Sequence, residues 1–67
     1  MLQLHLNGVP HATPIPCTVA ELLAREHLAE RRVAVEVNGM IVPRSAHATH
    51  ALVDGDRVEI VHALGGG

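Results

Sequence analysis

Two Asn-Gly pairs, at residues 7–8 and 38–39, constrain the fold of this chain more than any other feature. Asn and Gly tolerate the positive backbone angles of a two-residue turn, and this pair between apolar runs is typical of a β-hairpin. Residues 2–6 and 33–37, which precede the two pairs, alternate apolar and polar side chains as a strand with one buried face does. The sequence therefore predicts two separate hairpins.

The second strands of the two hairpins are expected to differ in regularity. After the first turn, residues 9–16 contain Pro10, Pro14 and Pro16, each of which removes a hydrogen-bond donor from a sheet. We expect this strand to be short or irregular and to lie at a sheet edge. After the second turn, residues 40–42 form a short strand that ends before a proline.

A helix is predicted between the hairpins. Thr18 and Glu21 have the spacing of a capping box, in which each side chain binds the other residue's backbone amide. We expect the helix to end near residues 28–30. Its apolar face comprises Val19, Leu22 and Leu23.

The rest of the chain predicts a loop or short helical turn at residues 44–51, a turn at residues 54–56 and a last strand at residues 57–63. A helix between two hairpins buries its apolar face against one side of a mixed sheet. The fold class is therefore α+β, a ubiquitin-like β-grasp in which four or five strands pack on one helix. In this topology the first and last strands lie side by side and parallel at the centre.

Length and composition restrict the function. At 67 residues the chain forms one small domain, and nine Val with no aromatic residue favour a sheet. The net charge of −2 without a basic cluster argues against nucleic acid or a membrane surface as a partner. A single cysteine and the lack of an apolar leader or membrane span indicate a cytoplasmic protein.

Three of the six glycines are the last three residues. We expect residues 1–64 to form the β-grasp domain and residues 65–67 to be a flexible tail. A tail without β-carbons can extend through a narrow channel, which would present the Gly67 carboxylate as a reactive and accessible group. The alternative is a frayed end without function.

Three stretches resemble the ThiS family, the sulfur carrier proteins of thiamine biosynthesis. They are residues 18–23 (TVAELL), 33–44 (VAVEVNGMIVPR) and 54–67 (DGDRVEIVHALGGG). The resemblance implies that Gly66 and Gly67 are the family's terminal pair, and that the Gly67 carboxylate is adenylated and then converted to a thiocarboxylate.

The same resemblance implies the partners. A ThiF-type adenylating enzyme activates the terminus with ATP, a sulfur donor such as a cysteine desulfurase supplies sulfur, and a ThiG-type thiazole synthase receives it. The carrier would be a substrate of these enzymes instead of an enzyme, and would bind no cofactor itself. Along the extended tail, Gly65, Gly66 and Gly67 can pair with partner backbone as an added strand.

Other residues are weaker candidates for function. Val61 and Ala63 are expected on the sheet face opposite the core, where they could dock the activating enzyme. His47 and His50 are three residues apart but have no third metal ligand at a suitable spacing, so we expect solvated histidines and no metal site. Cys17 is expected to pack against the helix as a hydrophobic staple instead of acting as a reactive thiol.

Three alternative functions share the fold. One is the small subunit of molybdopterin synthase, although its usual aromatic residues and proline before Gly-Gly are missing here. The second is a protein modifier that forms isopeptide bonds. The third is an interaction module whose terminal glycines are inert.

Overall fold

Five strands form one mixed sheet in the order β2-β1-β5-β3-β4. The computed structural model describes residues 1–62. The strands are β1 (Leu2–Leu6), β2 (Val9–Thr13), β3 (Val33–Val37), β4 (Met40–Val42) and β5 (Arg57–His62), with a helix α1 (Val19–Arg25) and a 3-10 helix (Arg44–Ala46). The expected ubiquitin-like topology is confirmed. The predicted boundary between the domain and residues 65–67 lies outside the described residues.

The first and last strands are parallel neighbours at the centre of the sheet, as the sequence predicts. His5 pairs with Arg57, and Leu6 pairs with Val58. The proline-bearing β2 lies at one edge, as expected, and pairs antiparallel with β1.

Both Asn-Gly pairs form the predicted turns. Asn7 and Gly8 have φ of 51° and 82°, and Asn38 and Gly39 have φ of 53° and 84°. Two successive positive φ angles characterise the hairpin turn whose twist matches that of the flanking strands.

The core lies between α1 and one face of the sheet. Leu22 and Val19 of α1 are fully buried, as is Val58 of β5. The other buried apolar residues are Leu2, Leu4, Cys17, Leu23, Val35, Val37, Val42, Leu52 and Ile60. Burial of this apolar surface is the main force that holds the helix on the sheet.

The helix begins where the capping box predicts but ends earlier than expected. Thr18 accepts a hydrogen bond from the Glu21 amide, and Glu21 accepts one from the Thr18 amide. The expected end near residues 28–30 is wrong, because the helix ends at Arg25 and His27 adopts a φ of 61°, which a helix cannot contain. The His27 amide binds the Ala24 carbonyl and the Leu28 amide binds the Leu23 carbonyl, the pattern of a Schellman motif.

Among residues 1–62, no helix has the length and apolar character needed to cross a membrane.

Candidate protein-docking site

One of the residues expected to form the site lies within the described part of the chain. Val61 is the fifth residue of β5, and His62 is the last residue described. Ala63, Gly65, Gly66 and Gly67 lie outside the described residues. The structure therefore defines the root of the tail and the surface around that root.

The strand that leads into the tail is held on both sides. On one side β5 pairs with β3 along its last five residues, from Val58 opposite Val37 to His62 opposite Val33. On the other side it pairs with β1 through its first two residues. At the end that leads into the tail, Val61 and His62 pair with β3 alone, and this pairing holds the root of the tail on the sheet.

The side chain of Asn7 extends this pairing beyond the end of β1. The Ile60 amide donates to Asn7 Oδ1 at 2.8 Å, and Asn7 Nδ2 donates to the Ile60 carbonyl at 3.2 Å. The carboxamide thus binds both backbone groups of Ile60, as another strand residue would.

Asn38 binds the start of β5 in a similar way. Its Oδ1 accepts from the Arg57 amide at 2.9 Å, and its Nδ2 donates to Asp56 Oδ1 at 2.9 Å. Asp56 is 6% exposed, and its Oδ2 also accepts from the Val53 amide. The sequence predicts only the turn role of both asparagines, because side-chain hydrogen bonds between segments distant in sequence leave no local signal.

The sheet face away from α1 carries the predicted docking residue. Val61 is 58% exposed, so the expected exposure is confirmed. It lies directly opposite Ala34 of β3, which is also exposed. The next pair on the same face is Glu36 opposite Glu59, both exposed. This face therefore combines a small apolar area next to the tail with two adjacent like charges.

A basic cleft lies beside the root of the tail. It has a volume of about 330 Å³ and is lined by Leu23, Ala29, Arg31, Arg32, Val33, Arg44 and His47. Three of the five arginines thus meet at one place, although no basic cluster is visible along the sequence. Arg31 and Arg32 are neighbours in the sequence and could have indicated a basic site. Arg44 comes close to them only in the folded chain.

Of the two histidines considered as metal ligands, His47 has a buried side chain. His47 is 8% exposed, and its Nε2 lies 3.0 Å from the Val42 carbonyl oxygen, so the expectation of a solvated side chain is wrong for this residue. This contact holds the end of the 3-10 segment against β4. Within residues 1–62, no group of three or more potential ligands could hold a metal ion.

Cys17 is buried, as the staple hypothesis requires. It is 1% exposed and belongs to the same apolar cluster as Leu22. Its Sγ accepts a hydrogen bond from Thr13 Oγ1 at 3.6 Å. The thiol is thus enclosed by the core and by the end of β2.

Comparison with known proteins gives consistent matches across the chain. Residues 4–67 match the ThiS family. The crystal structure of the thiamine biosynthesis protein (ThiS) from Geobacter metallireducens superposes with a TM-score of 0.85 at 35% identity. That superposition covers 98% of this chain and 100% of the other.

Two longer proteins contain a similar stretch. Proteins named thiazole synthase from Magnetococcus marinus and Paramagnetospirillum magneticum are 38% and 42% identical to this chain over 66 residues. Each match covers 98% of this chain, which spans only 20% of the length of each thiazole synthase.

Proposed function

This chain belongs to the ThiS family, and on that basis we propose that it is a sulfur carrier protein of thiamine biosynthesis. The observation that carries the proposal is the extent of the family match, which continues through Gly67 and so includes the glycine tail. The Geobacter structure, which is of a thiamine biosynthesis protein, supports the same role.

The proposed chemistry takes place at the Gly67 carboxylate. A carboxylate oxygen attacks the α-phosphorus of ATP on an activating enzyme, and pyrophosphate leaves. The resulting acyl adenylate has a good leaving group, so a sulfide or persulfide sulfur can attack the acyl carbon and displace AMP. If the attacking group is a persulfide, a thiol then reduces the S–S bond and leaves the thiocarboxylate.

In this scheme the chain is a substrate and supplies no catalytic side chain. The tail enters the partner's active site, and the paired strand β5 fixes where the tail begins. ATP is bound by the activating enzyme, so the carrier itself needs no cofactor. ATP and reduced sulfur are both available in the cytoplasm, which is where we place the reaction.

The proposed recipient of the sulfur is a thiazole synthase. Two proteins of that name contain a stretch similar to this chain, which supports a functional link between carrier and synthase. We propose a separate ThiF-type enzyme for adenylation and a cysteine desulfurase as the sulfur donor.

Intact mass spectrometry tests the proposal. After incubation with a ThiF-type enzyme, ATP and sulfide, we expect the mass to rise by the difference between one sulfur and one oxygen atom. Gly66→Val places a β-branched side chain in the expected channel, so we expect it to abolish ATP–pyrophosphate exchange while circular dichroism stays unchanged. An unchanged mass of the wild-type chain, with an enzyme that activates its own carrier, would exclude the proposed function.

A further inference from the structure

The basic cleft beside the tail has a charge opposite to that of the whole chain. The chain carries a net charge of −2, yet the cleft is lined by Arg31, Arg32 and Arg44. None of the described residues that line it is acidic. The local positive charge is therefore a property of the fold and not of the composition.

Two of these arginines, Arg31 and Arg44, form no ion pair in the part of the chain that the structure describes. His11 and Glu26 lie 3.5 Å apart, and that contact involves neither of the two arginines. Both arginines are exposed. Like charges gathered in one cleft repel each other, and an anion that enters the cleft lowers that repulsion. Guanidinium groups also match the geometry of carboxylates, which they bind through two parallel hydrogen bonds.

The cleft lies next to the place where the tail leaves the sheet. Val33 lines the cleft and is also the residue opposite His62 in the β3–β5 pair. An enzyme that encloses the tail must therefore come close to Arg31, which is exposed and lies two residues before Val33. The apolar Val61 and Ala34 lie at the same end of the sheet.

We propose that the basic cleft docks an acidic segment, rich in Asp or Glu, of the enzyme that activates the tail. This inference rests on the proposed function, because that function supplies the enzyme. The carboxylates of the segment pair with Arg31 and Arg44, and this contact orients the carrier so that its tail points into the active site. Such charge pairing raises the association rate and fixes the orientation of a complex.

Two double variants with equal changes of charge test the inference. Arg31→Glu with Arg44→Glu reverses the cleft, whereas Arg25→Glu with Arg57→Glu reverses two arginines that do not line it. Isothermal titration of each carrier variant with a ThiF-type activating enzyme, without ATP, measures the dissociation constant. We expect the cleft variant to bind about tenfold or more weakly than the control variant at low salt, and the difference to shrink as salt is raised. Circular dichroism verifies that both variants fold.

Equal dissociation constants for the two folded variants would overturn the inference. Adenylation is measured separately by intact mass spectrometry, so the docking proposal and the sulfur carrier proposal can fail independently. A wild-type chain that binds through the cleft arginines and is never adenylated would exclude the sulfur carrier function and retain the acidic docking contact.

Discussion

Asn7 serves both the first turn and the central strand. Its backbone adopts the positive φ that the turn requires, while its carboxamide binds the amide and carbonyl of Ile60. Asn38 repeats this double role at the opposite end of β5, where it binds Arg57 and Asp56. Glycine could form either turn, but only asparagine also supplies the hydrogen bonds to β5.

We therefore predict that Asn7→Gly keeps the turn but weakens the sheet. The loss of two side-chain hydrogen bonds to a partly buried backbone should lower the free energy of unfolding by about 1–3 kcal/mol. Urea denaturation measures this change, and hydrogen exchange should show a faster Ile60 amide while that of Val35 stays protected. An unchanged Ile60 exchange rate would show that the side chain does not hold β5.

At the scale of elements, the two ends of α1 differ in how well the sequence predicts them. The Thr18–Glu21 capping box identifies the first end, because all its groups lie within four consecutive residues. The second end depends on His27, whose positive φ is uncommon for a residue other than glycine. Ala24 and Ala29 on either side favour continuation of the helix, so the local sequence gives no stop signal there.

Thr18→Ala should destabilise the domain through this cap. We expect a loss of about 1 kcal/mol in the free energy of unfolding, because the Glu21 amide loses its acceptor at 3.1 Å. The helix has only seven residues, so it cannot offset the loss by its own stability. Thr18→Ser keeps the hydroxyl and is the matched control. Equal urea midpoints for the alanine variant and the wild type would show that the Thr18 side chain does not stabilise the helix as a cap.

The open face of the sheet contains a second testable pair. Glu36 and Glu59 are cross-strand neighbours, and like charges in that position repel. Glu59→Gln should therefore stabilise the protein by a few tenths of a kcal/mol at low salt, with a smaller gain at about 1 M salt. Glu30→Gln removes an exposed charge outside the strands and controls for net charge. Equal gains from both variants would show that the pair does not repel.

At the scale of the whole molecule, the sequence predicts the elements and their topology but not the surface near the tail. Alternation, Asn-Gly pairs and the cap are local, so the hairpins, the helix start and the parallel centre could be inferred. The basic cleft requires the β3–β4 register and the position of the 3-10 segment, which bring Arg31, Val33 and Arg44 together. Contacts between segments distant in sequence decide this part of the molecule.

Substitution of Val61 tests the docking face, because Val53 provides a matched control residue elsewhere on the surface. Val61 and Val53 are the same residue type and are 58% and 59% exposed. Val61 lies beside the root of the tail, whereas Val53 precedes the turn before β5, at the other end of that strand. A charge at either position meets solvent in the free protein, but a charge at Val61 would be buried when an enzyme covers the face next to the tail.

We therefore expect Val61→Glu to slow ATP–pyrophosphate exchange by at least about tenfold, since burial of an unpaired charge is costly. Val53→Glu should leave the exchange rate within about twofold of the wild type. Glutamate is a poorer strand residue than valine, so thermal melts must accompany the kinetics. Val61→Thr retains the β-branched shape, and its ATP–pyrophosphate exchange rate tests the docking face if Val61→Glu does not fold. Equal exchange rates for folded Val61 and Val53 variants would show that the activating enzyme approaches the tail from a different side of the sheet.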